Sequence, residues 1–144
     1  IKGRERVPFG AVNLGNPHAV IILDQGEDVE SFPVHVFGPV FQGLPIFPEG
    51  VNVGFLQILS RKEARLRVFE RGSGETLACG SGASAAFSIA RRRGLLDDKS
   101  VLHLHGGDLE FSWDPSIPES RLLMTGPAVT VFEGSLSLSD HILA

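Results

Sequence analysis

Ala78-Cys79-Gly80-Ser81-Gly82-Ala83-Ser84-Ala85-Ala86-Phe87-Ser88-Ile89-Ala90-Arg91-Arg92-Arg93-Gly94 decides how the rest of the chain is read. Alanine, serine and glycine crowd a stretch whose only large apolar side chains are Phe87 and Ile89, which predicts a helix over 78–93 able to approach other backbone closely. Arg91, Arg92 and Arg93 stand where cations suit the negative end of a helix, and Gly94 supplies the stop. On either side, 17 glycines and nine prolines are spread between short apolar runs, the pattern of many short strands joined by turns.

Outward from that helix, Val51 to Leu59 and Ala64 to Arg71 are rich in β-formers and read as neighbouring, antiparallel strands across Ser60-Arg61-Lys62-Glu63. Ala64, Leu66 and Val68 share one face. Val20 to Leu23 reads as a buried strand. From Pro33, a residue suited to a first helical turn, Val36, Phe37, Val40 and Phe41 fall at helical spacing despite Gly38-Pro39. Downstream, Val101 to His105, Leu109 to Trp113, Arg121 to Thr125 and Val129 to Phe132 form a predicted meander. The expected fold is α+β: a single domain of a curled, mostly antiparallel sheet around a central helix.

The chain has 144 residues, 42% hydrophobic and 21% charged, with a mean hydropathy of +0.12, in the range of one globular domain. Seventeen acidic against 13 basic residues give a formal charge of −4, which disfavours nucleic acid and anionic membrane as partners. Its apolar runs are far short of the ~20 residues that cross a bilayer, and no charged-then-apolar leader opens it. One cysteine, Cys79, excludes an internal disulfide, and no four-ligand zinc site suggests itself. His103 and His105 would share a strand face but have no obvious third ligand, so they read as a surface pair above Gly106-Gly107 and no metal is expected. The numbering opens at Ile1, and Ser135 to Ala144 alternates Leu136, Leu138 and Ile142 with polar neighbours. Both suggest a portion of a longer chain, with 1–134 as the domain and 135–144 as a strand that packs elsewhere.

Chemistry concentrates in Glu70-Arg71-Gly72-Ser73-Gly74-Glu75-Thr76-Leu77-Ala78-Cys79-Gly80-Ser81-Gly82-Ala83. Cys79 opens the helix, where N–H groups without intrahelical partners present positive potential. That setting is expected to make the thiol more acidic than a free one, an effect weakened if solvent replaces a covering domain. Glu70 is near enough to act as its carboxylate partner. Glycines keep the approach open to a ligand carboxylate. Gly80-x-Gly82-x-x-Ala85 matches a relaxed dinucleotide fingerprint, but no buried parallel strand leads into it. Asn13-Leu14-Gly15-Asn16-Pro17-His18 is a second polar run, readable as an ordinary turn, and Asn52 is an amide inside a strand pattern.

With these motifs in order, and with Phe47-Pro48-Glu49-Gly50-Val51-Asn52-Val53-Gly54-Phe55, Gly106-Gly107-Asp108-Leu109-Glu110 and Thr125-Gly126-Pro127-Ala128, the chain resembles the C-terminal half of the diaminopimelate epimerases. The resemblance covers nearly the whole sequence. It implies a cytoplasmic enzyme of lysine biosynthesis that needs no cofactor, inverting one α-carbon of LL-diaminopimelate to the meso form between two similar domains, each supplying one cysteine. It implies that Cys79 is the second acid/base and that Glu70 orients or activates it. Asn16, Asn52 and Arg71 would bind the distal end of the substrate, Gly80 and Ser81 would hold the reacting carboxylate, and His18 would assist the other cysteine. The partners implied are the small-molecule substrate and an N-terminal half not contained in this sequence, with a second copy in a homodimer as a further option. With one cysteine, the chain is expected to be inactive alone. The alternatives are a proline racemase-like or phenazine-pathway isomerase-like relative, or a non-catalytic binding domain.

Overall fold

The computed structural model describes residues 6–136. Its elements run β1 (Gly10–Asn13), β2 (Pro17–Ile22), α1 (Val34–Gln42), β3 (Asn52–Ile58), β4 (Glu63–Glu70), β5 (Gly74–Thr76), α2 (Gly80–Arg92), β6 (Lys99–Leu104), β7 (Gly107–Ser112) and β8 (Leu123–Thr125). All strands join one sheet in the order β1-β2-β3-β4-β6-β7-β8, with β5 paired to β4. Five of its seven pairings are antiparallel; β2–β3 and β4–β6 are parallel. Parallel neighbours need a long crossover, and the two helices lie in those two crossovers: α1 between β2 and β3, α2 between β4 and β6.

Alternation along the central strands sorts the core into two layers. Val20 of β2, Leu56 of β3 and Ala64, Leu66 and Val68 of β4 face α2, in the cluster that holds Ala83, Ala86, Phe87 and Ala90. The intervening Ala19, Ile21, Val53 and Phe55 face the other way, with Val34 and Phe41 of α1. The expected shared face of Ala64, Leu66 and Val68 is therefore present, and so is the curled sheet: α2 touches β1, β2, β3, β4 and β7. Its small residues allow this enclosure, and nearly every position from Gly82 to Ala90 is buried. Phe87 stacks on Phe111 with ring centroids 5.0 Å apart. The helix ends as expected: Gly94, at φ 71°, donates its N–H to the Arg91 carbonyl, and Leu95 donates to Ala90, a Schellman closure.

Several boundaries differ from the sequence expectation. The β1 strand is an addition, and only Leu14 to Asn16 turn; Pro17 and His18 already belong to β2. Helix α1 buries Val34, Gly38 and Phe41, leaving Val36 and Val40 on its exposed side. Gly38 explains the unusual Gly-Pro pair, because a Cβ there would lie 2.4 Å from the ring of Phe69. The predicted strand Val129 to Phe132 is absent. After Gly126-Pro127 the chain leaves the sheet, and Val129, Val131, Phe132 and Leu136 are 81%, 88%, 85% and 83% exposed. Of the expected tail strand 135–144, residues 137–144 lie outside the described residues. No described helix is long and apolar enough to cross a membrane.

The packing of α2 yields a direct test. Phe87→Ala should lower the unfolding free energy by about 3–5 kcal/mol in urea denaturation. Val36→Ala, on the exposed side of α1, should stay within about 0.5 kcal/mol.

Candidate active site

Strand register gathers the polar residues at one end of the sheet. His18 of β2 pairs with Asn52 of β3, and Val53 pairs with Phe69, which places Glu70 one step along in the same row. All three follow the α2-facing alternation of their strands. The row thus runs toward the start of α2, where Cys79 is the N-cap residue, with extended backbone (φ −143°, ψ 107°) and its sulfur accepting the Gly82 N–H at 3.4 Å. Gly82 is needed here for closeness: a Cβ would lie 3.2 Å from both the sulfur and Val68 Cγ2. The N–H groups of Gly80 and Ser81 belong to the first turn, where a helix offers no carbonyl partner.

A polar chain links the members. His18 Nε2 lies 2.9 Å from Asn16 Oδ1. A neutral ring protonated at Nε2 donates there. The other end of the Asn16 amide donates to Ser81 Oγ at 3.4 Å, and Ser81 Oγ lies 3.6 Å from Cys79 Sγ. Having accepted from Asn16, the hydroxyl can turn its own proton toward the sulfur. Asn52 is occupied largely by backbone: its amide donates to the Pro17 carbonyl at 3.1 Å and accepts from the Arg71 N–H at 2.9 Å, tying β2 to the end of β4. The Arg71 guanidinium donates to the Glu49 carbonyl at 2.9 Å.

Cys79 is 8% exposed and packs in the cluster on the α2 side, with the Ser81 hydroxyl and the Gly82 N–H at its sulfur. Burial pushes its thiol above the ordinary value; the Ser81 hydroxyl and Gly82 N–H favour thiolate, whereas a hydrogen bond to Glu70 and the charge of that carboxylate favour thiol. This corrects the expectation of an unusually acidic thiol. Desolvation and a neighbouring carboxylate outweigh the helix start in this chain. Burial likewise lowers the His18 pKa, against an opposing influence from the Glu70 charge.

The expected site residues Asn16, His18, Asn52, Glu70, Arg71, Cys79, Gly80 and Ser81 thus occupy one region. Two contributors were not foreseen. The Thr76 hydroxyl donates to Glu70 Oε1 at 2.6 Å. Met124 of β8 covers the helix start, its thioether 3.9 Å from Ser84 Oγ and its methyl 3.3 Å from where a Gly80 Cβ would stand. Thr76 carried a signal, a hydroxyl three residues before the cysteine; Met124 carried none, because only the sheet topology brings it there. His103 and His105 go to different carboxylates, Asp108 and Glu30, and among the described residues no group of three or more His, Cys, Asp or Glu could hold a metal.

The fold defines a class. It is shared with a PhzF-family phenazine biosynthesis protein from Bacillus anthracis (18% identity, TM-score 0.55, covering 82% of this chain and 38% of that one). It is shared also with a hydroxyproline epimerase from Agrobacterium vitis (18%, TM-score 0.56, 82% and 41%). Within that class, the chain belongs to the diaminopimelate epimerase family, whose profile matches residues 10–131. Relatives named diaminopimelate epimerase from Paraburkholderia phytofirmans and Paraburkholderia xenovorans are 54% identical over 134 residues and 57% identical over 132, or 93% and 92% of this chain. The chain spans 44% and 45% of their lengths.

The buried, neutral His18 has a consequence for stability. Below about 6.5, the ordinary imidazole value, the unfolded chain binds a proton that the folded chain resists, so His18 lowers stability as pH falls from there toward its depressed folded pKa. The stability difference between wild type and His18→Gln, from urea unfolding at pH 5 to 8, should therefore shrink as the pH is lowered.

Proposed function

We propose that this chain is one half of a diaminopimelate epimerase, supplying one of the two thiols that invert an α-carbon of LL-diaminopimelate to give the meso form without pyridoxal phosphate. The observation that carries this reading is Cys79 at the mouth of α2, with the Glu70 carboxylate beside it and first-turn N–H groups within the same turn.

Inversion without a cofactor needs a base on one face of the carbon and an acid on the other. In one direction, a thiolate from the other half takes the α-proton, and the C–H electron pair spreads onto the substrate carboxylate. The N–H groups of Gly80 and Ser81 meet that charge with dipoles already in place. Cys79 then gives its proton to the opposite face and is left as thiolate. A thiol whose pKa lies above the ordinary value rests protonated, which suits the donor role. The reverse reaction exchanges the roles of the two sulfurs. Asn16, Asn52 and Arg71 would bind the distal end of the substrate, His18 would assist the other cysteine, and Glu70 would orient or activate Cys79.

One sulfur cannot serve both faces, so the isolated chain is inactive in this reading. The missing half also gives the apolar segment around Val129, Val131 and Phe132 a surface to pack on, and closure over the site would exclude water that weakens the helix dipoles. The test assembles this chain with a complementary amino-terminal half, such as that of the Paraburkholderia phytofirmans relative, and follows exchange of the substrate α-proton with deuterated solvent. The assembled pair should exchange, the chain alone should not, and Cys79→Ser should slow exchange by roughly 10²-fold or more. An assembled pair without exchange, or a Cys79→Ser pair as fast as wild type, would overturn the assignment.

A further inference from the structure

Thr76 ends β5, a three-residue strand whose only pairing among the described residues is with β4. So short a strand does not hold its own place, and Arg67 braces it. Arg67 Nε and one terminal nitrogen form a fork on the Glu75 carboxylate at 2.6 and 3.0 Å, while the other terminal nitrogen donates to the carbonyls of Val29, Glu30 and Phe32 at 2.8, 3.0 and 2.8 Å. The arginine side chain is 12% exposed, so this is a packed clamp rather than a surface pair. Glu75 is gripped on the α1 side of the sheet. Its neighbour Thr76, paired with Val68, turns to the α2 side, toward Glu70 and Cys79.

A threonine hydroxyl has one proton to give. The Ala78 carbonyl is 3.5 Å away and Glu70 Oε1 is 2.6 Å away, so the carboxylate receives it. Glu70 is a long side chain at the end of its strand. A single-torsion partner on a braced strand removes much of its freedom at little entropic cost. We propose that Thr76 is a positioning residue of the Cys79 site, fixing the Glu70 carboxylate beside the sulfur, with the Arg67–Glu75 fork holding the strand that carries it. The catalytic meaning of this arrangement rests on the acid/base reading of Cys79. The arrangement itself is readable without turnover, because Cys79 is the only thiol in the chain. The charged and titratable groups facing the sulfur are Glu70 of β4 and, behind it, His18 of β2; Glu75 is neutralised by Arg67 on the opposite face.

The experiment is the rate of iodoacetamide alkylation against pH on the 144-residue chain. Freed from Thr76, the carboxylate swings away from the sulfur, so in Thr76→Val the thiol titration should move down toward that of a free thiol. A shift of roughly half a pH unit would make alkylation about threefold faster at pH 8. Thr76→Ser, which keeps the hydroxyl, should overlay wild type. In a Glu70→Gln background, adding Thr76→Val should change nothing. Thr76→Ala is read on the same scale if Thr76→Val does not fold. A wild-type profile for Thr76→Val, a shifted profile for Thr76→Ser, or a full effect surviving in Glu70→Gln would each overturn the proposal. Absence of proton exchange in the assembled protein would sink the epimerase assignment and leave the thiol measurement standing.

Discussion

The contact between the Gly82 N–H and the Cys79 sulfur is where fold and chemistry meet. It caps α2 with a thiol in place of the usual hydroxyl or carboxamide, so the residue that starts the helix is also the one to which the proposed reaction is assigned. The same glycine lets the first turn of α2 lie against β4, since a Cβ at position 82 would stand 3.2 Å from Val68 Cγ2. For α2 to lie there, its buried positions must be small, hence the run from Gly82 to Ala90 interrupted only by Phe87 and Ile89. The small-residue composition of α2 thus follows from how closely the helix packs on the sheet.

Electrostatically the site is a balance. The helix start and the Ser81 hydroxyl favour thiolate; burial and Glu70 favour thiol, and in this chain the second pair is stronger. In the proposed reaction the thiol accepts a proton in one direction and donates it in the other, a task served by opposed influences rather than by extreme acidity. The Asn16 amide joins the histidine of β2 to the serine of α2, so the ring and the sulfur belong to one hydrogen-bonded chain although β2 and α2 lie far apart in the sequence.

Much of this was legible in the sequence because it is local. The helix at 80–92, its Gly94 stop, the β3–β4 pair and the alternation of Ala64, Leu66 and Val68 follow from spacing and composition over a few residues. The two parallel pairings were not legible, since nothing in a strand names its partner across a crossover. Val129 to Phe132 has the composition of a strand and no described neighbour to pair with, so propensity without a partner leaves it extended and exposed. At the site, a family resemblance supplied the membership of Asn16, His18 and Asn52, each readable by itself as a turn residue or a cap. What the sequence could not convey was the sign of the thiol shift, which depends on how deeply the sulfur is covered and on the distance to one carboxylate.

The strand connections also bear on the order in which the domain assembles. β3 and β4 are separated by only Leu59 to Lys62, whereas β2 reaches β3, and β4 reaches β6, only after a complete helix has been traversed. Closing a short hairpin costs little chain entropy, and this one lies between the two crossovers, so it is a natural nucleus, with both crossovers laid down on it afterward. Val53, Phe55, Leu66 and Val68 would then be committed early. The corner that gathers the candidate site, built by residues from several separate segments, would be among the last parts of the molecule to become ordered.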